Sequence, residues 1–306
     1  MTLALDIQTL KKTYASGTKA LKGINLHVKQ GDFFALLGPN GAGKSTTIGI
    51  ISSLVRKTSG KVLLMGVDID RDAAKARRQM GVVAQEFNLP IFDRVMDIIM
   101  QQAGFYGVPT RIAKPRAEKV LKQLGLWEKR KAVVRALSGG MKRRVMIAAA
   151  MIHEPKLLIL DEPTAGVDIE LRRGLYEYLE EQNKNGLTII LTTHYLEEAE
   201  RLCNQIAIIN HGEVVMDIPK RELSQRVCQQ RYVLDVAGDL SQALPHGVSL
   251  RDEHRLEAVV SKGESLNDLV AALSSKHIVV ESIAPTENRL EQVFLELTAQ
   301  GGSTNV

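Results

Sequence analysis

The sequence predicts an α/β fold followed by a small α+β domain, on three observations. Phe33-Phe34-Ala35-Leu36-Leu37 is a short, unbroken apolar run that ends at a glycine-rich loop. Two further buried-strand candidates follow, Leu157 to Leu160 and Leu187 to Thr192, with a helix-patterned stretch between them. Beyond Pro219 the composition changes, and short strand and helix patterns alternate on a smaller scale. Unbroken apolar runs of this length fit strands buried on both faces, as in parallel sheets covered by helices. Strands alternating with helices imply a layered architecture.

Taken in order, Leu3, Leu5 and Ile7 alternate, as do Ile24, Leu26 and Val28, which suits half-buried strands. The run at 33–37 then feeds the loop and a helix expected over Thr46 to Leu54. From about Phe87 to Ala150 the pattern is helical, for example Ala117, Val120, Leu121 and Leu124, and reads as a helical insertion. Between the second and third buried strands a helix is expected over Asp168 to Asn185. Leu171, Leu175, Tyr178 and Leu179 share one face, Asp168 serves as N-cap, and Asn185-Gly186 is the stop. After Pro219 three strands are expected, Tyr232 to Val236, Leu256 to Val260 and Ile278 to Ile283. Two amphipathic helices accompany them, marked by Leu266, Leu269, Val270 and Leu273, and by Leu290, Val293, Phe294 and Leu297. The expected domains are therefore 1–220, with a helical part at about 87–150, and 221–306.

At 306 residues, 44% hydrophobic and 25% charged, the chain can bury one large core plus a small satellite. A net charge of +5 is a mild excess that fits a solvated surface as well as an anionic partner. Cys203 and Cys228 show no metal-ligand or redox spacing, so a reducing, cytoplasmic setting is expected. Asp6 falls too early for a secretory apolar segment. The longest apolar runs are far short of the ~20 residues of a membrane helix. Any membrane role is expected to come through a partner.

The loop Gly38-Pro39-Asn40-Gly41-Ala42-Gly43-Lys44-Ser45 satisfies G-x-x-x-x-G-K-[ST]. Phosphate oxygens must approach backbone N–H groups closely, which Cβ atoms would obstruct, hence the glycines at 38, 41 and 43. Lys44 supplies a point charge, Ser45 a hydroxyl for Mg²⁺, and the following helix its positive end. Leu157-Leu158-Ile159-Leu160-Asp161-Glu162 would set two carboxylates at the C-terminal edge of a sheet, where ligands bind in open α/β folds. Asp161 is then a Mg²⁺ partner and Glu162 the candidate general base for an attacking water. Alone, an apolar strand ending in an acid is as often structural; downstream of a phosphate loop it points to catalysis.

Between these motifs lies Leu137-Ser138-Gly139-Gly140-Met141, which resembles the signature motif of ABC ATPases. Ser138 is suited to cap a helix whose two glycines open the backbone to an anion. The resemblance covers essentially the whole chain and implies a P-loop NTPase with a RecA-like core, an antiparallel β-subdomain and a helical subdomain. It implies ATP contacts from Gly38, Pro39, Asn40, Gly41, Ala42, Gly43, Lys44, Ser45 and Thr46, with Tyr14 stacked on adenine. Gln85 resembles the Q-loop glutamine that senses Mg²⁺, joining Ser45 and Asp161, and faces the transmembrane partner. Ala165-Gly166-Val167-Asp168 resembles the D-loop of the dimer interface, and His194 the switch histidine, which with Glu162 and Lys44 completes the catalytic set. The C-terminal part, closing on Leu290 to Leu297, looks like the domain appended to ATPase subunits of ABC-2-type exporters. Met141 replaces the usual glutamine, and Ala149 stands where many relatives carry arginine.

In that family two subunits sandwich two ATP molecules, so Ser138, Gly139 and Gly140 meet the nucleotide held by the opposite copy. One phosphate loop and one signature in this chain imply a dimer, most simply a homodimer. The leading expectation is an exporter ATPase at the cytoplasmic face of the membrane, with separate transmembrane permease subunits and no nucleic acid. The competing readings are a soluble ABC ATPase acting on nucleic acid or ribosomes, for which Lys142-Arg143-Arg144 speaks, and an importer subunit.

Overall fold

The computed structural model describes residues 2–164, 169–223, 229–238, 240, 244–252, 254–261, 264–286 and 289–299. The chain divides into two compact units, Met1–Lys220 and Arg221–Val306.

In the first unit β1 (Leu3–Thr13), β2 (Lys19–Lys29), β3 (Phe33–Leu37) and α1 (Lys44–Ile51) are followed by β4 (Ser59–Leu64), β5 (Val67–Asp68), α2 (Ala73–Arg78) and β6 (Met80–Val83). Helices α3 (Val95–Phe105), α4 (Thr110–Gln123) and α5 (Gly139–Met151) make up the helical part. The chain returns through β7 (Leu157–Asp161), α6 (Ile169–Lys184), β8 (Thr188–Thr192), α7 (Leu196–Leu202), β9 (Gln205–Asn210) and β10 (Glu213–Pro219).

Among the described residues the first unit forms two sheets, β2-β1-β4-β5, antiparallel, and β10-β9-β3-β8-β7-β6. In the second sheet β9, β3, β8, β7 and β6 run parallel and only β10 turns back. The all-buried pattern of β3 and β8 follows from cover on both faces. Leu5, Leu26, Phe34 and Ile190 belong to one apolar cluster, so the two sheets share a core. The register sets Asp161 opposite Thr192, and Leu36 opposite both Thr192 and Ala207. The loops that leave the C-terminal ends of β3, β6, β7 and β8 therefore open on one edge.

Two expected boundaries move. The helix after the phosphate loop starts at Lys44 rather than Thr46, because Gly43, left-handed at φ 116°, already caps it. It ends at Ile51 rather than Leu54, since Ser53 turns left-handed and the Leu54 and Val55 N–H groups both donate to Gly49 O. In α6, Leu175, Tyr178 and Leu179 turn inward, and Gly186, at φ 97°, closes the helix. The proposed cap Asp168 and the rest of 165–168 lie outside the described residues.

The second unit has β11 (Gln229–Ala237), β12 (Val248–Asp252), β13 (Arg255–Ser261), α8 (Leu266–Ser274), β14 (Val279–Pro285) and α9 (Arg289–Ala299), with an antiparallel sheet ordered β12-β13-β11-β14. Leu234, Val236, Leu256, Ala258, Leu273 and Ile278 form its core. The three expected strands are present with a fourth, β12, that sequence reading misses; almost wholly exposed at the sheet edge, it offers only Val248 and Leu250 as apolar residues, too short an alternation to mark a strand. No helix among the described residues is long and apolar enough to cross a membrane.

Candidate functional site

Buried β3 delivers the phosphate loop to the sheet edge, and the loop's glycines answer to different neighbours. A Cβ at Gly38 would sit 2.2 Å from Ile209 O, and one at Gly43 2.8 Å from Leu21 Cδ2. Both positions are closed by the chain's own packing on β9 and β2. Gly41 faces open space, so only its left-handed φ of 79° requires glycine. Lys44, 8% exposed, curls back so that Nζ donates to Gly38 O at 2.5 Å and Pro39 O at 3.1 Å. Burial holds its pKa below the ordinary lysine value, while the carboxylates of Glu162 and Asp161 pull it back up.

At the end of β7, Asp161 accepts a hydrogen bond from Thr192 Oγ1 at 2.5 Å, the partner that the register places opposite it. Glu162 N–H donates to Thr192 O at 3.0 Å, and its backbone is left-handed at φ 47°. That conformation is costly for a residue with a Cβ, and such strain concentrates at functional positions. Glu162 Oε2 lies 3.0 Å from His194 Nδ1 and accepts from Gln85 Nε2 at 3.3 Å. Thus the ends of β6, β7 and β8 contribute one group each to a single cluster.

A cavity of about 150 Å³ gathers Pro39, Asn40, Gly41, Gly43, Lys44, Ser45, Thr46, Gln85, Asp161 and Glu162. Gly38 and Ala42 are buried beneath the loop. Tyr14 stands beside the cavity, its Oη 3.3 Å from Thr46 Oγ1 and its ring under Lys12 Nζ at 4.7 Å. His194 reaches it through Glu162. Ser138, Gly139 and Gly140 do not line it. Ser138 instead caps α5, accepting from Met141 N–H at 3.3 Å, and a Cβ on Gly139 would meet nothing within 4 Å. The packing of this chain therefore gives no reason for glycine at 139.

Three features escape motif reading. Thr192, which the sequence presents only as a strand end, holds Asp161. Glu198 is 3% exposed and accepts from Tyr176 Oη at 2.7 Å and from Thr164 Oγ1. Arg143, 2% exposed, donates from Nη1 to Ala84 O at 2.5 Å and from Nη2 to Gln85 O at 2.6 Å. Burial lowers its pKa from the ordinary value, against the pull of Asp161 and Glu162, yet a guanidinium stays charged. A signal existed: Arg143 lies three residues from Gly140 and four from Ile147, on the buried face of α5. Arg144 donates to Leu124 O at 3.0 Å. The basic triplet is therefore largely engaged within the fold rather than displayed as a patch.

The fold and this cluster define a nucleotide-binding ATPase cassette, and comparison places it in a family. Residues 21–165 match the family described as ABC transporter. The linearmycin resistance ATP-binding protein of Bacillus subtilis (strain 168) is 37% identical over 308 residues, spanning 97% of this chain and 98% of that one. A Nod factor export ATP-binding protein of Cupriavidus metallidurans is 36% identical over 305 residues, spanning 98% and 99%. A dimeric ATP-binding cassette solved in a post-hydrolysis state with ADP and Pi superposes at a TM-score of 0.65, with 29% identity over 71% of this chain and 99% of that one. This chain belongs to the ABC transporter family, as an ATP-binding and ATP-hydrolysing subunit of the exporter type.

Proposed function

We propose that two copies of this chain close on two ATP molecules and drive a membrane exporter built from separate permease chains. The observation that carries the reading is the convergence of Lys44, Gln85, Asp161 and Glu162 on one cavity from which the signature residues of the same chain are absent. A second copy would supply Ser138, Gly139 and Gly140, and the open space at Gly139 fits an anion arriving from outside the chain.

The chemistry of the donors fits Mg²⁺. Ser45 hydroxyl, Gln85 amide oxygen and Asp161 carboxylate are hard oxygen ligands, and Mg²⁺ commonly takes one or two carboxylates plus substrate phosphates. Among the described residues no cluster of three His, Cys, Asp or Glu side chains would hold a metal without such phosphates. When bound, Mg²⁺ supplies charge neutralisation across the phosphates. Lys44 exchanges Gly38 O and Pro39 O for phosphate oxygens, and Tyr14 stacks on the purine, ATP being the expected one. Glu162 takes the proton of the water that attacks the γ-phosphorus while the bond to the β–γ bridging oxygen breaks. With Nδ1 committed to Glu162, His194 offers Nε2 to the transferred phosphoryl group.

The permease face is assigned to the helical part that follows Gln85 in the chain. A larger cavity, about 380 Å³, opens there between Val82, Leu89, Ile98, Tyr106 and Ala149, with Phe105, 81% exposed, at its margin. It holds none of the candidate catalytic groups. Alanine at 149 leaves this wall small. Docking here places the chain peripherally on the cytoplasmic face of the membrane, and the cargo is selected by the permease chains.

The test is Glu162→Gln. ATP binding is expected to persist, turnover to fall by about 10²–10⁴-fold, and the dimer to accumulate in light scattering. Unchanged turnover would remove Glu162 as the base, and a chain that stays monomeric with ATP bound would remove the two-copy site.

A further inference from the structure

We propose that the outer face of α4, with the turn that follows it, is a docking surface for the anionic lipid headgroups of a membrane. This rests on the reading above that the chain works at a membrane, and adds a contact made to the bilayer itself rather than to permease chains. The chain's positive charge lies in one place. Residues 110–131 hold eight of the 40 basic and two of the 35 acidic residues, which leaves 32 against 33 in the remainder. One helix and one turn thus carry the whole positive excess.

In α4, Ala113, Ala117, Val120 and Leu121 are buried, so the helix turns its other side to solvent. Arg111, Lys114, Lys119 and Lys122 are exposed along about 16 Å of helix. The turn continues the surface. Lys122 Nζ and Arg130 Cζ lie 5.5 and 4.3 Å from the Trp127 ring centroid, which brings the helix and Lys129-Arg130-Lys131 together. Two of the eight cations are neutralised within the fold, Arg116 by Glu154 and Lys122 by Glu118. Arg111, Lys114, Lys119, Lys129 and Lys131 are exposed and have no ion-pair partner among the described residues. Like charges left this close repel one another, and an anionic surface relieves that repulsion. Some four to eight basic residues on an amphipathic helix are the pattern that anionic leaflets attract. What borders the charge favours a membrane over nucleic acid. Phe105, 81% exposed, ends α3, and Ile112, 38% exposed, lies in the first turn of α4, so both stand at one end of this helix pair. Apolar side chains beside cations suit the boundary between headgroups and acyl chains. Single-stranded nucleic acid instead stacks on free aromatic faces. Trp127, the one aromatic residue in 110–131, already carries Lys122 and Arg130.

The experiment sediments the full chain, without permease, with vesicles of phosphatidylcholine alone or mixed with phosphatidylglycerol, at low and at high salt. Wild type should bind the mixed vesicles, leave the neutral ones in suspension unbound, and be released as salt rises. Lys119→Gln with Lys129→Gln removes two unpaired cations and should weaken binding about 25-fold, at about fivefold a residue. Lys29→Gln with Lys61→Gln makes the same change in net charge on β2 and β4, and should leave binding within about twofold. Phe105→Ser should weaken vesicle binding about tenfold and leave its salt dependence in place. Both lysine pairs should hydrolyse ATP in vesicle-free solution as wild type does, which reports that they are folded. Equal binding to both kinds of vesicle, or equal loss from both lysine pairs, overturns the proposal. So does duplex DNA that outcompetes vesicles of equal charge, with Phe105→Ser binding both as wild type does. A chain that ignores anionic vesicles but co-purifies with permease chains from solubilised membranes overturns this surface and leaves the exporter reading standing. One that binds the mixed vesicles through Lys119 and Lys129 but recovers no permease supports this surface and overturns that reading.

Discussion

Replacing Thr192 by valine deletes one hydroxyl and keeps the branched shape of a side chain that is fully buried in β8. The hydroxyl lost is the donor to Asp161 Oδ1 at 2.5 Å. A hydrogen bond to a charged group contributes about 1.5–3 kcal/mol, and its loss leaves a half-buried carboxylate with one donor fewer. In a unit of this size each kcal/mol moves Tm by about 2–4 °C, so a fall of about 3–12 °C is expected in nucleotide-free protein. The same bond orients a carboxylate assigned to Mg²⁺, and loss of such outer support commonly weakens metal binding about 10–100-fold. Calorimetry gives the first quantity, and the Mg²⁺ dependence of ATP hydrolysis the second. Thr192→Ser, which restores the donor, should recover most of the Mg²⁺ dependence. If Thr192→Val melted with wild type and its Mg²⁺ titration superimposed, the assigned role of this pair would be wrong.

Other perturbations read different parts of the fold. At Gly81 a Cβ would meet Ala150 O at 2.4 Å and Ala150 C at 3.1 Å, both backbone, so Gly81→Ala must push β6 from α5. A cost of about 1–3 kcal/mol in urea unfolding is expected. His153 stacks on Tyr106 with centroids 3.7 Å apart, and its pKa lies below the ordinary 6.5 because of burial, opposed by its hydrogen bond to Met80 O and aided by Arg116. Just below that value the unfolded chain takes up a proton that the folded chain refuses. This stability is therefore complete above the unfolded pKa and drains as pH falls toward the folded one. Wild type should lose stability relative to His153→Gln as pH falls through the ordinary histidine value of 6.5, and parallel profiles would refute the assignment. Glu198→Ala would strand the Tyr176 and Thr164 hydroxyls at about 1–3 kcal/mol each, whereas Glu198→Gln keeps an acceptor and should melt closer to wild type.

Much of this protein is legible before any coordinates. The run at 33–37, the loop at 38–45 and the acids at 161–162 carry their meaning locally. Burial on both faces enforces an unbroken apolar strand, and phosphate chemistry demands those residue types at that spacing. Even the absence of the signature residues from the cavity is what the resemblance to ABC ATPases implies for a chain with one loop and one signature. Tertiary structure alone decided the rest. Packing against Ile209 and Leu21, not ligand approach alone, requires glycine at 38 and 43. Register alone brings Thr192 to Asp161, and Arg143, one basic residue of three in a row, turns inward to hold Ala84 and Gln85. Such contacts join segments tens of residues apart, and neither partner's local pattern names the other, because what selects them is the geometry of the packed chain.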